Sequence, residues 1–91
     1  MEKKQITKFL GTDFIILTDN KGQCAKCLEK LKGLGCKWFT GKAISERYFN
    51  PQNLNLWFAV HVDKDLSVGF LSGMCLHHSK DLKINYKELI F

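Results

Sequence analysis

Apolar residues between positions 20 and 35 recur at the spacing of one helix face. This stripe consists of Cys24, Cys27, Leu28, Leu31 and Leu34. Its members follow the series i, i+3, i+4, i+7 and i+10, which is typical of an amphipathic helix. Asn20, followed three residues later by Gln23, has the chemistry of a capping box, although Asp19 could cap instead. Gly33 and Gly35 stand where helices end in a left-handed residue, so we predict a helix from about residue 20 to 34.

Shorter apolar runs on both sides of this helix have the period or the length of β-strands. They cover residues 13–18, 36–40, 56–62, 66–70 and 82–86. The third and fourth runs are joined by a short polar turn, which predicts a β-hairpin. The sequence therefore predicts an α+β fold in which one main helix packs on a mostly antiparallel sheet of four to five strands, in the order β-α-β-β-β-β. Residues 1–11 are predicted to be an N-terminal arm or an edge segment.

The length of 91 residues predicts a single domain, 1–91. No apolar run approaches the roughly 18 residues that a transmembrane helix needs, and the first residues lack the apolar core of a signal peptide. We therefore expect a cytoplasmic protein that does not act on a membrane. In that compartment the four cysteines are expected to be thiols or metal ligands, without disulfides.

The positive charge is concentrated in the first half of the chain. The whole chain carries a net charge of +5, and residues 1–42 contain nine lysines and four acidic residues, which leaves residues 43–91 neutral. A basic surface favours anionic partners such as nucleotides, nucleic acids or acidic proteins. Because only one of the basic residues is Arg, weak nucleic-acid binding is expected rather than bidentate reading of bases.

The cysteines allow two interpretations. The first is a zinc site, whose ligands would come from Cys24, Cys27, Cys36, Cys75, His77 and His78. The second is packing, because Cys24 and Cys27 lie in the leucine stripe of the helix and cysteine packs as a small apolar residue. We favour packing and predict no metal and no cofactor. No phosphate-binding loop, paired carboxylates or supported nucleophile–base pair occurs, so we predict that the protein is not an enzyme and has no catalytic residues.

Aromatic and cationic residues alternate in the middle of the chain, a combination that suits stacking of a base and neutralisation of a phosphate. The predicted ligand-binding residues are Trp38, Trp57, His61, Lys37, Lys42, Arg47 and Tyr48. One helix covers only one face of a sheet, so the other face should meet water or a partner, and Trp57 and His61 are expected there. The alternative is that Trp38 belongs to the core and the lysines form a solvated surface.

Residues 31–41 read LKGLGCKWFTG, and residues 83–89 read KINYKEL. In this pattern a helix ends in Leu-x-x-Leu-Gly and is followed by a Lys-Trp strand, Ser/Thr-Gly, a variable loop and a hairpin. The chain resembles a group of short phage-encoded α+β proteins that share it. Such proteins often carry an aromatic residue at the position of Cys36, which implies a packing role there. The resemblance implies a phage protein that neutralises a host defence component or its signalling nucleotide.

These observations lead to three hypotheses. The first is a non-enzymatic protein of a phage or mobile element that antagonises a host defence system by sequestering an anionic ligand, such as a signalling nucleotide. The second is a protein–protein inhibitor, of the anti-CRISPR type for example, that docks on a host defence effector. The third is a small basic nucleic-acid-binding protein. In each case the protein would act in the host cytoplasm, and a homodimer or higher oligomer is expected because self-association would cover the open sheet face.

Overall fold

The structure is a computed structural model that describes residues 3–54, 59–71 and 79–91. It contains the strands β1 (Lys4–Gln5), β2 (Phe14–Leu17), β3 (Lys37–Trp38), β4 (Ala59–Val62), β5 (Ser67–Leu71), β6 (Leu82–Asn85) and β7 (Leu89–Ile90), and the helix α1 (Lys21–Gly33). Short 3-10 helices cover Ile6–Lys8, Glu46–Phe49, Pro51–Asn53 and Tyr86–Glu88. None of the described helices is long and apolar enough to cross a membrane.

The main sheet has five strands in the order β3-β5-β4-β2-β6. The predicted α+β fold with one main helix is confirmed, and the order of its elements matches β2-α1-β3-β4-β5-β6. The sheet is mixed rather than mostly antiparallel: β4 is antiparallel to β2 and β5, whereas β2/β6 and β3/β5 are parallel. The reason is that α1 returns the chain to the end of the sheet at which β2 began, so β3 runs in the same direction as β2.

A second, two-stranded sheet pairs β1 with β7 in parallel. Its two strands are only two residues long, and Lys4 pairs with Leu89 while Gln5 pairs with Ile90. Ile6, directly after β1, is completely buried in the core. Residues 1–11 are predicted to be an arm or an edge segment. Their described part contains a short strand, β1, and one core side chain, Ile6.

The helix begins and ends through specific hydrogen bonds. At its start, the Asn20 side chain accepts a bond from the backbone N–H of Gln23 at 2.9 Å, and the Gln23 side chain accepts one from the backbone of Asp19 at 2.8 Å. At its end, Cys36 N–H donates to the Leu31 carbonyl at 3.1 Å and Gly35 N–H donates to the Lys32 carbonyl at 3.0 Å. This is the Schellman arrangement, and Gly35 occupies its left-handed position with φ +91°.

The hydrophobic core lies between α1 and one face of the main sheet. Its fully buried side chains include Phe14, Ile16, Leu28, Leu31, Val60, Val62 and Val68. On the opposite face of β2, Ile15 is also completely buried, with His61 and Lys83 as its neighbours in register. The expectation that this second face is open therefore does not hold at Ile15, which lies on β2 between β4 and the edge strand β6.

Candidate ligand site at the β3 edge

Three aromatic rings form a cluster at the β3 edge of the main sheet. The ring centroids of Trp38 and Tyr48 lie 5.8 Å apart, those of Trp38 and Phe70 5.3 Å, and those of Tyr48 and Phe70 6.0 Å. The interplanar angles are 87°, 64° and 88°, which is the edge-to-face geometry that aromatic pairs prefer. All three rings are only half-buried, so each retains surface that a ligand can contact.

The strand register explains why these rings meet. Trp38 in β3 pairs with Val68 in β5, and Phe70 follows Val68 by two residues on the same face. Tyr48 comes from the 3-10 helix Glu46–Phe49, which is tied to α1 by the ion pair between Lys32 and Glu46 at 3.0 Å. The cluster is therefore built from a strand edge and from a loop segment that the main helix holds in place.

A cavity of about 270 Å³ opens at the cluster and is lined by Trp38, Phe39, Thr40, Tyr48 and Phe70. Phe39 is 75% exposed, the largest exposed fraction of any described large apolar side chain. Its ring lies beside Gly69, where an added Cβ would meet it at 3.6 Å. Because Gly69 pairs with His61, this exposed ring lies on the sheet face opposite to Trp38, and a ligand in the cavity would meet it by extending around the β3 edge.

The turn after β3 fixes the shape of this site. The backbone N–H of Trp38 donates to the carbonyl of Lys42 at 2.8 Å, and Gly41 N–H donates to the Trp38 carbonyl at 2.8 Å. Gly41 has φ +88°, a conformation that favours glycine, so the Thr-Gly pair at 40–41 closes the turn and directs Lys42 back towards the strand. Phe39 and Thr40 are thereby held at the tip of the turn.

Cationic side chains surround the cluster without carboxylate partners. The Arg47 guanidinium lies 5.5 Å from the centroid of the Tyr48 ring, a cation–π distance. Lys42 is exposed in the turn, and Lys37 is exposed on β3 but leaves the strand on the face opposite to Trp38. Among residues 3–54, 59–71 and 79–91, none of these three cations forms an ion pair. Arg47 and Lys42 are therefore available to an anionic group beside the cavity, whereas Lys37 lies on the other face of the sheet.

The structure brings only part of the predicted site together. Trp38, Tyr48, Arg47 and Lys42 meet around the cavity or in the turn beside it. Trp57 lies outside the described residues. His61 faces the opposite side of the sheet from Trp38, so it does not join the cluster.

His61 is instead engaged in a separate pair, with its Nε2 atom 3.0 Å from Oδ2 of Asp81. It lies in β4 opposite Ile15 of β2, on the face that does not carry the helix-side core. The sequence pattern placed His61 on that face correctly by strand alternation. The sequence pattern could not show that the aromatic residues that cluster with Trp38 occupy the other face of the sheet.

The sequence-based selection missed Phe39, Thr40 and Phe70. The signal for Phe39 was present, because two consecutive aromatic residues in a strand must point in opposite directions and one of them then lacks the core. Phe70 carried no such signal, since its contact with Trp38 depends on the parallel pairing of β3 with β5.

Cys24, Cys27 and Cys36 are buried thiols within the hydrophobic core. Burial raises the pKa of the Cys27 thiol far above its ordinary value of 9.0, and the neighbouring Cys24 raises it further. Burial also raises the pKa of the Cys36 thiol. The packing interpretation accounts for these positions, and no group of three or more potential metal ligands occurs in the described part of the chain. Cys75, His77 and His78 lie outside it, so the zinc alternative stays a hypothesis.

Comparison with known proteins finds no matching family model, no matching curated protein and no matching solved structure. The function is therefore inferred from the geometry and chemistry of the site itself.

Proposed function

We propose that this is a non-enzymatic binding protein that holds an anionic ligand with a planar aromatic group, such as a nucleotide, at the β3 edge. The observation that carries the proposal is a cavity of about 270 Å³ at the mutually packed rings of Trp38, Tyr48 and Phe70, with the exposed Phe39 bordering it at the β3 edge. Base–aromatic stacking contributes about 1–3 kcal/mol per base, so stacking of one base in the cavity would supply part of the affinity.

The size of the cavity limits what enters it. Pockets for whole drug-sized ligands are about 300–1,000 Å³, and this one lies just below that range. A single base fits within it, and the sugar and phosphates of the ligand would remain towards the rim. Arg47 directly precedes Tyr48, and Lys42 follows Thr40 by two residues. Charge-assisted hydrogen bonds from these two cations would hold the phosphates, whereas Lys37 leaves β3 on the other face.

Binding rather than catalysis is supported by the chemistry of the lining. Of the described lining residues, four are aromatic and the fifth, Thr40, contributes a hydroxyl group. The phenol of Tyr48 is the one titratable group in that set. The described lining contains no histidine, carboxylate or lysine, the groups on which general acid–base catalysis most often relies.

We further propose that the ligand is a signalling nucleotide of a host defence system and that the protein, encoded by a phage or mobile element, antagonises the system by sequestering it. The support is the resemblance of residues 31–41 to short phage-encoded proteins, together with the net charge of +5. Sequestration needs no catalytic residues, which agrees with the apolar, aromatic lining of the site.

The experiment is a titration with a panel of 5′-mononucleotides and cyclic dinucleotides, read by tryptophan fluorescence and by the melting temperature. The chain has two tryptophans, so a Trp57→Phe variant leaves Trp38 as the single reporter. At least one nucleotide is expected to quench Trp38 and to raise the melting temperature of the wild-type protein. Unchanged fluorescence and melting temperature across the whole panel would remove the proposal.

A further inference from the structure

A second concave surface lies between the end of α1 and the small β1–β7 sheet. We call it the Lys30 groove; its volume is about 530 Å³, and it is lined by Lys3, Lys30, Gly33, Leu34, Leu89, Ile90 and Phe91. It shares no lining residue with the aromatic cavity at the β3 edge. The proposed nucleotide site therefore does not account for it.

The ammonium group of Lys30 is held in a defined position beside this groove. It donates a hydrogen bond to the Tyr86 hydroxyl at 3.1 Å and lies 5.3 Å and 5.1 Å from the ring centroids of Tyr86 and Phe91. The two rings pack against each other with centroids 5.5 Å apart. Because a lysine has three N–H donors, two remain for a ligand, and within the described ranges no carboxylate pairs with Lys30.

The walls of the groove are apolar and partly open to water. Ile90 is 47% exposed, Leu34 and Phe91 are half-buried, and Leu89 forms part of the buried core beneath them. A ligand that carries a carboxylate next to an apolar side chain would contact both the ammonium group and this wall. Covering Ile90 and Leu34 would remove apolar surface from water, which adds affinity that the charge alone does not provide.

We propose that the Lys30 groove docks an acidic peptide segment of a partner protein. One carboxylate of the segment accepts hydrogen bonds from Lys30, and a neighbouring apolar side chain packs on Leu34 and Ile90. Charge complementarity favours an acidic segment as the occupant. Both charged residues of the lining are lysines, and residues 1–42 carry the whole net charge of the chain. Complementary charge of this kind also steers the encounter with an acidic partner.

The same charges disfavour the other occupants. In a symmetric dimer through this groove, Lys3 and Lys30 would face their own copies, which brings like charges together. Nucleic acid binds chiefly through many phosphate contacts, whereas this groove offers two lysines and four apolar side chains. An acidic segment with an apolar anchor satisfies both parts of the lining.

The test is an NMR titration of the ¹⁵N-labelled protein with the blocked peptide acetyl-Glu-Leu-Glu-Leu-Glu-amide. The matched probe is acetyl-Gln-Leu-Gln-Leu-Gln-amide, which keeps the leucines and removes the charge. The acidic peptide should shift the amide signals of Leu34, Leu89 and Ile90 in a saturable way, and the neutral peptide should bind at least about tenfold more weakly, as expected for loss of charge-assisted hydrogen bonds. Equal binding of the two peptides would overturn the proposal.

Two variants place the binding in the groove. Lys30→Met keeps the aliphatic stem and should weaken binding of the acidic peptide about tenfold, whereas Lys26→Met, on an exposed position of the same helix, should leave it within about twofold. Ile90→Ser, at an exposed position, should also weaken binding, which covers the case that Lys30→Met unfolds. Wild-type affinity in both Lys30→Met and Ile90→Ser, or shifts confined to Trp38 and Phe70, would contradict the assignment.

Discussion

The raised pKa of the Cys27 thiol makes the stability of the protein depend on alkaline pH. In the folded state the thiol is held in its protonated form by burial, with the thiol of Cys24 adding to the shift. In the unfolded state it ionises near its ordinary value of 9.0. Its contribution is therefore fully present below pH 9, and it is lost progressively as the pH rises above 9 and the unfolded chain releases the proton.

The magnitude follows from linkage between protonation and folding. At pH 10, one unit above the unfolded pKa, ionisation of Cys27 in the unfolded chain lowers the free energy of unfolding by about 1.4 kcal/mol relative to pH 7. Lysines, tyrosines and the other thiols also titrate there, so the wild-type slope alone does not isolate Cys27. The difference between the wild-type protein and Cys27→Ala cancels those groups, provided that the two proteins differ in no other titration.

The assay is urea unfolding of both proteins at pH 7 and pH 10 under reducing conditions. At pH 7 Cys27→Ala should be less stable by about 1–2 kcal/mol, because it leaves a small cavity in the core. At pH 10 that gap should shrink by about 1.4 kcal/mol. A gap that stays constant or widens between the two pH values would mean that the folded state does not hold the Cys27 thiol protonated.

Three further predictions concern the helix and the thiols. Gly35→Ala should lower the free energy of unfolding by about 1–2 kcal/mol because Gly35 has φ +91°. Gly33→Ala, at the last residue of the helix with open space around it, should be neutral or stabilising by up to about 1 kcal/mol. Urea unfolding of the two variants separates the effect of backbone strain from that of side-chain size. Asn20→Ala should cost about 1 kcal/mol in the same measurement through loss of the bond to Gln23, and an unchanged midpoint would contradict the cap. In a Cys75→Ser background the three buried thiols should react with iodoacetamide only when the protein unfolds, and rapid labelling under native conditions would contradict their burial.

The helix could be predicted closely because its signals are local. The leucine stripe, the Asn20 cap and the Gly35 exit all act within a few residues, and α1 ends at Gly33 with Leu34 as its cap, next to the expected end. The strands with clear alternation or apolar runs were also found. Register between distant strands is different, because it is fixed by contacts that no single segment encodes.

The site could be predicted only in part for the same reason. Trp38 and Tyr48 were found by residue type, but their contact with Phe70 requires β3 to lie next to β5. The β1–β7 sheet and the Lys30 groove were not predicted, since strands of two residues have no measurable period. Residue type thus indicated the chemistry of a site, and only the sheet topology shows which side chains share it.

The most direct test of nucleotide binding at the β3 edge compares Phe39→Ser with Leu82→Ser by calorimetric titration of the nucleotide that gives the largest response in the panel. Both residues are exposed, Phe39 by 75% and Leu82 by 51%, so neither change removes a core side chain. Phe39 lines the aromatic cavity, whereas Leu82 lies in β6 at the opposite edge of the sheet. The account predicts that Phe39→Ser weakens binding about tenfold and that Leu82→Ser binds as the wild-type protein does. Equal affinity of all three proteins would contradict it.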